Sequence, residues 1–203
     1  MPGAPHRPLI IGVTGGMASG KSTLARMMCG HGILHSDADR IVHHLLRTDA
    51  AVQAEIGAAF PATATAQGIN RGALAEHIAR HPATLAVLEA ILHPRVRAEE
   101  EARIAHARRN RLRAVVLDVP LLFETDTDAL CDVVLAVHAP LSHRRRRAFA
   151  RTGMTEEKWQ RLLDRQLPDA VRNHAADIVI PATLGKAAMR RRVAALMQQW
   201  GLQ

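Results

Sequence analysis

The sequence of 203 residues predicts an α/β fold, a doubly wound parallel sheet with helices on both faces. Short apolar runs rich in β-branched residues, which are typical of buried strands, alternate with longer segments of helical periodicity. In the segment 9–28, an apolar run leads through a glycine-rich turn into a helix. In sheets of this class, ligands bind beyond the carboxyl ends of the strands, so functional residues are expected there.

The predicted elements follow one another with few long loops. Strands are predicted at 9–13, 33–36, 114–118, 133–137 and 177–180. Helical periodicity is present at 24–28, 41–46, 51–60, 71–81 and 83–93, from Pro94 toward 113, at 141–152 and 156–166, and from about 185. The loop expected within 50–113 is 61–70, which predicts a largely helical insertion between two strands of the sheet.

The segment after the first strand reads Gly15-Gly16-Met17-Ala18-Ser19-Gly20-Lys21-Ser22 and fits the pattern G-x-x-x-x-G-K-[ST]. Its glycines let backbone amides converge on one anion, and the following helix adds the favourable end of its dipole. We predict that this P-loop binds the phosphates of a nucleoside triphosphate through Gly16, Met17, Ala18, Ser19, Gly20, Lys21, Ser22 and Thr23. The alternative is a glycine-rich turn without a ligand.

Two side chains of the loop have predicted chemical roles. Lys21 would reach the β- and γ-phosphates, and the hydroxyl of Ser22 would bind Mg²⁺. Since Lys21 lies in a loop built around its ligand, we expect its removal to abolish phosphoryl transfer with little loss of fold.

Two aspartates follow the second strand, at the edge of the sheet where the phosphates are expected. We predict that Asp39 is a general base, which takes the proton of an acceptor hydroxyl as the phosphoryl group arrives. Asp37 is predicted to cap the next helix. A purely structural cap, with the base elsewhere, is the alternative for this pair.

The segment 118–124 begins with a carboxylate and continues with apolar residues. Asp118 closes an apolar strand, an arrangement that predicts binding of Mg²⁺ directly or through water; an ordinary turn residue is the alternative. Leu121 and Leu122 are predicted to form a wall of the substrate pocket. Core packing is the competing interpretation, and the two roles are compatible.

A basic run covers 143–151. At helical spacing, Arg144, Arg147 and Arg151 share one face. Because the run follows a core strand at the expected ligand crevice, we interpret it with the next helix as a lid that brings charge to the transferring phosphoryl group. A solvated helix face and a nucleic-acid-binding patch are the alternatives.

Composition restricts the partners and the location. A net charge of +8 favours polyanionic ligands, and an aromatic content of 2% argues against base-stacking platforms. No apolar stretch approaches the length of a membrane span, and the first eight residues lack the apolar core of a signal peptide. Cys29 and Cys131 have no metal-ligand spacing and are expected to be reduced, buried thiols. We predict a cytoplasmic protein that binds neither membrane nor nucleic acid.

Taken together, these residues resemble the dephospho-coenzyme A kinase family from about residue 10 to residue 185. The markers are Thr14-Gly15-Gly16, Asp37-Ala38-Asp39, His93-Pro94-x-Val96-Arg97, Asp118-x-Pro120-Leu121-Leu122-x-Glu124, Arg147-x-x-x-Arg151, Gln166 and Ala176-Asp177-x-Val179-Ile180. The P-loop occurs in many kinases, whereas the His-Pro and Asp-x-Pro-Leu-Leu elements in this order are far more specific. The resemblance implies transfer of the γ-phosphoryl group of ATP to the ribose 3′-hydroxyl of dephospho-coenzyme A.

The resemblance also assigns roles to individual residues. Asp39 resembles the base of the family, Arg147 resembles its lid arginine, and the stretch with His93 and Arg97 falls where the family contacts the coenzyme. One departure is the segment 181–185, where the family often has an asparagine and a glycine near the adenine.

We therefore predict a single kinase domain over 1–203. The ranges 8–37, 114–140 and 176–203 would form its nucleotide-binding core, about 40–113 a helical coenzyme-binding insertion, and about 141–172 the lid. A monomer or a weak homo-oligomer is expected. The alternatives are another small-molecule P-loop kinase and an ATP-gated nucleic-acid-binding protein. The latter requires basic residues along one long face, whereas acidic clusters at 99–101 and 156–157 interrupt them.

Overall fold

The computed structural model describes residues 6–202 and begins with a strand, a glycine loop and a helix. These are β1 (Leu9–Gly15), α1 (Lys21–Met28) and the next strand, β2 (Ile33–Asp37). The order strand, loop, helix is the one that the glycine-rich motif predicts. The prediction that the first eight residues form no signal peptide falls mostly on residues 1–5, which lie outside the described residues.

Five more strands and eight more helices make up the rest of the described chain. The strands are β3 (Ala64–Thr65), β4 (Gly68–Ile69), β5 (Ala114–Asp118), β6 (Val133–His138) and β7 (Ile178–Pro181). The helices are α2 (Ala38–Thr48), α3 (Ala50–Ala59), α4 (Arg71–Arg80), α5 (Leu85–Arg109), α6 (Leu141–Phe149), α7 (Glu156–Asp164), α8 (Asp169–Ala175) and α9 (Gly185–Gln199). Residues before Asp37, together with those from Arg103 onward, form one compact unit, and Asp37–Ala102 forms another.

The first unit is built on a five-stranded sheet in the order β2-β5-β1-β6-β7. β1 runs parallel to β5 and to β6, and β6 runs parallel to β7. β5 is buried along its whole length, as a strand covered on both faces must be. The predicted α/β fold with a parallel sheet is confirmed.

Two aspartates satisfy backbone amides at the amino ends of the strands. Asp132 accepts a hydrogen bond from the amide of Ile10 at 2.8 Å, and Asp177 accepts one from the amide of Val134 at 2.7 Å. A buried amide without a partner costs free energy, so these carboxylates stabilise the sheet on the side away from the P-loop.

Within the described residues, no helix is long and apolar enough to cross a membrane.

The second unit has a separate apolar core among α2, α3, α4 and the first part of α5. Its buried members are Ile41, Leu45, Leu46, Val52, Ile56, Phe60, Ile69, Leu74 and Leu92. Side-chain caps begin three of its helices, where Asp37, Asp49 and Asn70 each accept a hydrogen bond from the backbone amide three residues ahead. The predicted capping role of Asp37 is therefore confirmed.

Two local predictions in this unit need correction. The loop expected at 61–70 contains a 3₁₀ turn, Pro61–Thr63, and a hairpin in which β3 pairs with β4. The helical segments expected to meet at Pro94 form one continuous helix, α5. Pro94 has no amide to donate to the carbonyl of Ala90. In the same turn, the guanidinium of Arg95 donates to the carbonyl of Ile91 at 3.0 Å and pairs with Glu55 of α3.

The two cysteines are free thiols, as expected. Their predicted burial is wrong, because Cys29 is exposed and Cys131 is half-buried. Cys29 follows the last residue of α1, where its thiol donates to the carbonyl of Ala25 at 3.3 Å.

Candidate active site

The P-loop connects β1 to α1 in a conformation that needs left-handed backbone at two positions. Ala18 has a φ of 60° and Gly20 a φ of 112°. The turn is closed by a hydrogen bond from the amide of Ser19 to the carbonyl of Gly16 at 2.9 Å. Gly20 is the N-cap of α1 and has no side chain to cap it. The first amides of α1, at Lys21 and Ser22, are therefore available to an anion.

Gly15 and Gly16 are also required by close packing. A Cβ atom added to Gly15 would lie 2.7 Å from the carbonyl oxygen of Val137, and one added to Gly16 would lie 2.1 Å from Nη1 of Arg144. Contacts this short do not occur for real Cβ atoms. At Gly15 the obstacle is backbone, so no side chain fits there, whereas a side chain at Gly16 would have to displace the guanidinium of Arg144.

Lys21 forms an ion pair with Asp118 across the end of the sheet. The side chain of Lys21 is 12% exposed and that of Asp118 is 0% exposed. Nε2 of His35 lies 3.5 Å from Oδ2 of Asp118, at the outer limit of a hydrogen bond. Burial alone would raise the pKa of the Asp118 carboxyl, but His35 and Lys21 together outweigh it and lower that pKa. Asp118 is therefore a buried, ionised carboxylate.

Asp118 and Ser22 have the properties required of magnesium ligands. Oδ2 of Asp118 is buried and makes no hydrogen bond within the described part of the chain. Ser22 is exposed at the start of α1. A hard oxygen donor that accepts no hydrogen bond fits Mg²⁺, which prefers carboxylate and hydroxyl oxygens.

The segment after β5 lies against β1. The hydroxyl of Thr14 donates to the carbonyl of Pro120 at 3.3 Å. Leu121 is half-buried, whereas Leu122 is fully buried, and a Cβ atom added to Gly12 would lie 2.8 Å from it. The side chain of Leu122 therefore packs in the core, and the predicted role as a wall of the substrate pocket stays a prediction for the half-buried Leu121.

Arg147 of α6 contacts the P-loop directly. Its Nη1 donates to the carbonyls of Ser19 at 3.0 Å and Ala18 at 3.4 Å, and its Nη2 donates to the carbonyl of Ala182 at 3.3 Å. The three arginines predicted to share one face differ in burial, because Arg144 is buried while Arg147 and Arg151 are exposed.

Two contacts that tie the segment after α7 to the site were not predicted from the sequence. Oε1 of Gln166 accepts a hydrogen bond from the amide of Met17 at 2.9 Å. Oε1 of Glu124 accepts one from the amide of Leu167 at 2.7 Å. Both acceptors belong to segments that carry the family resemblance, but no spacing along the chain indicates which amides they bind.

A buried cluster of charges was not predicted either. Arg144 of α6 and Arg172 of α8 both pair with Asp169, which begins α8. Burial lowers the pKa of Arg144, Asp169 opposes that change, and the neighbouring charge of Arg172 adds to it. A guanidinium nevertheless stays protonated in proteins, so both arginines carry charge.

Positive charge continues beyond the P-loop into a cleft between α1 and α9. The cleft has a volume of about 520 Å³ and is lined by Thr23, Arg26, Met27, Lys186 and Arg190. Thr23, the last residue of the predicted phosphate-binding segment, is thus part of the lining of this cleft.

The remaining predicted site residues, Asp39, His93 and Arg97, belong to the Asp37–Ala102 unit. Asp39 is exposed in the first turn of α2. It lies two residues after Asp37, which ends β2. His93 is exposed on α5. Nε of Arg97 donates to Glu101 of the same helix at 2.9 Å. The P-loop, Asp118 and Arg147 are together in the other unit.

A model of the dephospho-CoA kinase family matches residues 9–186 of the chain. A dephospho-CoA kinase of Agrobacterium fabrum is 38% identical over 193 residues, which cover 95% of this chain and 98% of the relative. A dephospho-CoA kinase of Rhodospirillum rubrum is 44% identical over 178 residues, which cover 87% of this chain and 84% of the relative.

Two solved structures share the fold. A crystal structure from Thermus thermophilus has a TM-score of 0.79 and 30% identity, over 95% of this chain and 97% of that one. A dephospho-CoA kinase from Campylobacter jejuni has a TM-score of 0.66 and 22% identity, over 94% of this chain and 96% of that one.

The ion pair changes the expectation for Lys21, because its removal leaves a buried carboxylate with only His35 beside it. We predict that Lys21→Ala lowers the free energy of unfolding by up to about 3 kcal/mol. Adding Asp118→Asn should restore part of that loss, since the uncompensated charge is then removed. Urea unfolding of the ligand-free protein measures both, with the exposed Lys186→Ala as the control. A Lys21→Ala variant as stable as the wild type would show that the pair contributes nothing to folding.

Proposed function

The chain belongs to the dephospho-CoA kinase family, and we propose that it phosphorylates the ribose 3′-hydroxyl of dephospho-coenzyme A with ATP. The products are coenzyme A and ADP, and the reaction is the last step of coenzyme A biosynthesis. The observation that carries the proposal is the P-loop, with Lys21 paired to a buried carboxylate and Arg147 hydrogen-bonded to the loop itself. These are the parts that phosphoryl transfer by a P-loop enzyme requires.

The proposed reaction is an in-line displacement at the γ-phosphorus of ATP. The 3′-oxygen of the acceptor forms the new bond to phosphorus, and the bond to the β–γ bridging oxygen breaks, so that ADP leaves. The hydroxyl proton passes to Asp39, which is exposed in the first turn of α2. Asp37 positions this turn by capping α2.

The loop amides and Lys21 bind the triphosphate in this proposal. Lys21 then turns from Asp118 to the β- and γ-phosphates, while the amides at the start of α1 hold the same oxygens. Ser22 and Asp118 would hold Mg²⁺, which neutralises charge on the phosphates when it is bound. Oδ2 of Asp118, which is buried and accepts no hydrogen bond from the described residues, supports this assignment.

Arg147 is proposed to act from the lid, which comprises about 141–172. Its guanidinium is already hydrogen-bonded to the carbonyl of Ser19 in the P-loop, and in the proposed reaction its charge would turn to the phosphates. The lid would also exclude water, which otherwise competes with the acceptor for the phosphoryl group.

The acceptor is proposed to bind the region of about 40–113. The exposed His93 and the guanidinium of Arg97 would contact the coenzyme. The half-buried Leu121 is proposed to line a substrate pocket. The cationic side chain of Arg97 suits the phosphates of dephospho-coenzyme A. A cytoplasmic location, a monomer or weak homo-oligomer, and the absence of nucleic-acid binding remain predictions from the sequence.

An assay of ADP release against a panel of acceptors tests the proposed function. Dephospho-coenzyme A should support turnover, whereas shikimate and common nucleosides should not, because they lack the groups that His93 and Arg97 are proposed to bind. Faster turnover with any of the other acceptors would assign the chain a different small-molecule kinase activity.

Asp39→Asn tests the proposed base. The amide keeps the size and hydrogen bonding of the side chain but removes its basicity, so turnover should fall roughly 10²- to 10⁴-fold. ATP affinity should barely change, because Lys21, Ser22 and the loop amides are intact. Asp37→Asn is the matched control, since asparagine also caps helices well. If Asp37→Asn is inactive and Asp39→Asn is active, the two roles are reversed.

Arg147→Ala tests the lid. We expect turnover to fall roughly 10²- to 10³-fold, as for the loss of a group that stabilises transferring charge. Arg146→Ala removes the same charge from an exposed position on the same helix and should remain active. Tight, steeply salt-dependent binding of duplex DNA together with normal turnover in Arg147→Ala would instead identify a nucleic-acid-binding surface.

A further inference from the structure

Two buried arginines and a partly exposed aspartate form a charged cluster next to the P-loop. Arg144 is 3% exposed and Arg172 is 2% exposed. Nη2 of Arg144 donates to Oδ2 of Asp169 at 2.7 Å, and Nη2 of Arg172 pairs with Oδ1 of the same carboxylate. The carboxylate of Asp169 is 28% exposed, whereas both guanidiniums are buried. One carboxylate therefore balances two buried guanidiniums, and the cluster keeps a net positive charge.

The hydrogen bonding of the cluster is incomplete. Nε of Arg144 donates to the carbonyl of Ala139 at 3.2 Å, and Nη1 of Arg172 donates to the carbonyl of Leu167 at 3.2 Å. Nη1 of Arg144 and Nε of Arg172 are buried and have no hydrogen-bond partner among residues 6–202. Burying an unbalanced charge with unmet donors is unfavourable. Core packing alone therefore does not account for two arginines at this position.

Both guanidiniums lie directly against the P-loop. A Cβ atom added to Gly16 would lie 2.1 Å from Nη1 of Arg144 and 3.1 Å from Nη2 of Arg172. The next residue of the loop, Met17, is held through its amide by Gln166. The first half of the loop is thus supported from behind by α6, α8 and the segment that joins α7 to α8.

We propose that Arg144 and Arg172 are positioning residues for the triphosphate. They hold the Gly16–Met17 part of the loop in place, and their net charge attracts the phosphates from behind the loop without touching them. The attraction between two opposite charges is stronger in a low-dielectric interior than in water. The inference rests on the proposed function, in which ATP is the phosphoryl donor.

Arg144→Met tests this proposal because methionine keeps much of the length of the side chain and removes its charge. The Kd for ATP, measured by calorimetry without acceptor, should rise roughly tenfold, as expected for a residue that acts without contacting the ligand. The KM for dephospho-coenzyme A should change less than about twofold. Arg144→Lys restores the charge and should recover most of the affinity for ATP. Arg146→Met removes an exposed charge from the same helix and should bind ATP like the wild type.

The proposal is overturned if Arg144→Met binds ATP as the wild type does, even when its melting temperature falls, because the cluster is then only structural. It is also overturned if the Met and Lys variants weaken ATP binding equally, since charge is then irrelevant. If Arg144→Met does not fold, Arg172→Met removes the other charge. The proposal is then overturned if Arg172→Met binds ATP as the wild type does, or if Arg172→Met and Arg172→Lys weaken ATP binding equally. Because ATP binding is measured without acceptor, a wild-type protein that binds ATP but does not phosphorylate dephospho-coenzyme A contradicts only the proposed function.

Discussion

The candidate site depends on one structural constraint, the parallel register of β1 between β5 and β6. Val13 lies opposite Asp118 on one side and opposite Leu135 on the other. This register brings the P-loop after β1 to the same edge of the sheet as the carboxyl end of β5. Lys21 and Asp118, 97 residues apart in the sequence, can therefore form an ion pair. A slip of one residue would turn Asp118 to the opposite face of the sheet and remove that pair.

The central strands β1, β5 and β6 were predictable because they are buried on both faces. β5 was predicted with the observed bounds, since each of its residues is apolar or closes the strand. The continuity of α5 was not predictable, because Pro94 removes one hydrogen bond while the residues around it favour helix and Arg95 adds a contact to the same turn. The hairpin of β3 and β4 is too short to leave a periodic signal.

Within the site, the sequence predicts residues whose identity is set by chemistry and misses those whose partners are set by packing. The P-loop pattern identifies Lys21 and Ser22 without any tertiary information. The basic run of α6 is different, because its arginines look alike in the sequence. Only the fold distinguishes the buried Arg144 from the exposed Arg147, and only the fold brings Asp169 to Arg144.

The cations of the site fall into two kinds, and the proposed reaction needs both. The ammonium of Lys21 has one partner in the structure, the buried Asp118, and another in the reaction, the β- and γ-phosphates. When Lys21 turns to the phosphates, the carboxylate loses its counter-charge in a place without solvent, which is unfavourable unless a cation replaces it. In the proposed reaction, the exposed hydroxyl of Ser22 and the freed carboxylate would together hold Mg²⁺, so binding of triphosphate and of metal is expected to be cooperative. The arginines paired with Asp169 are proposed to take no part in this exchange and to keep their charge next to the loop.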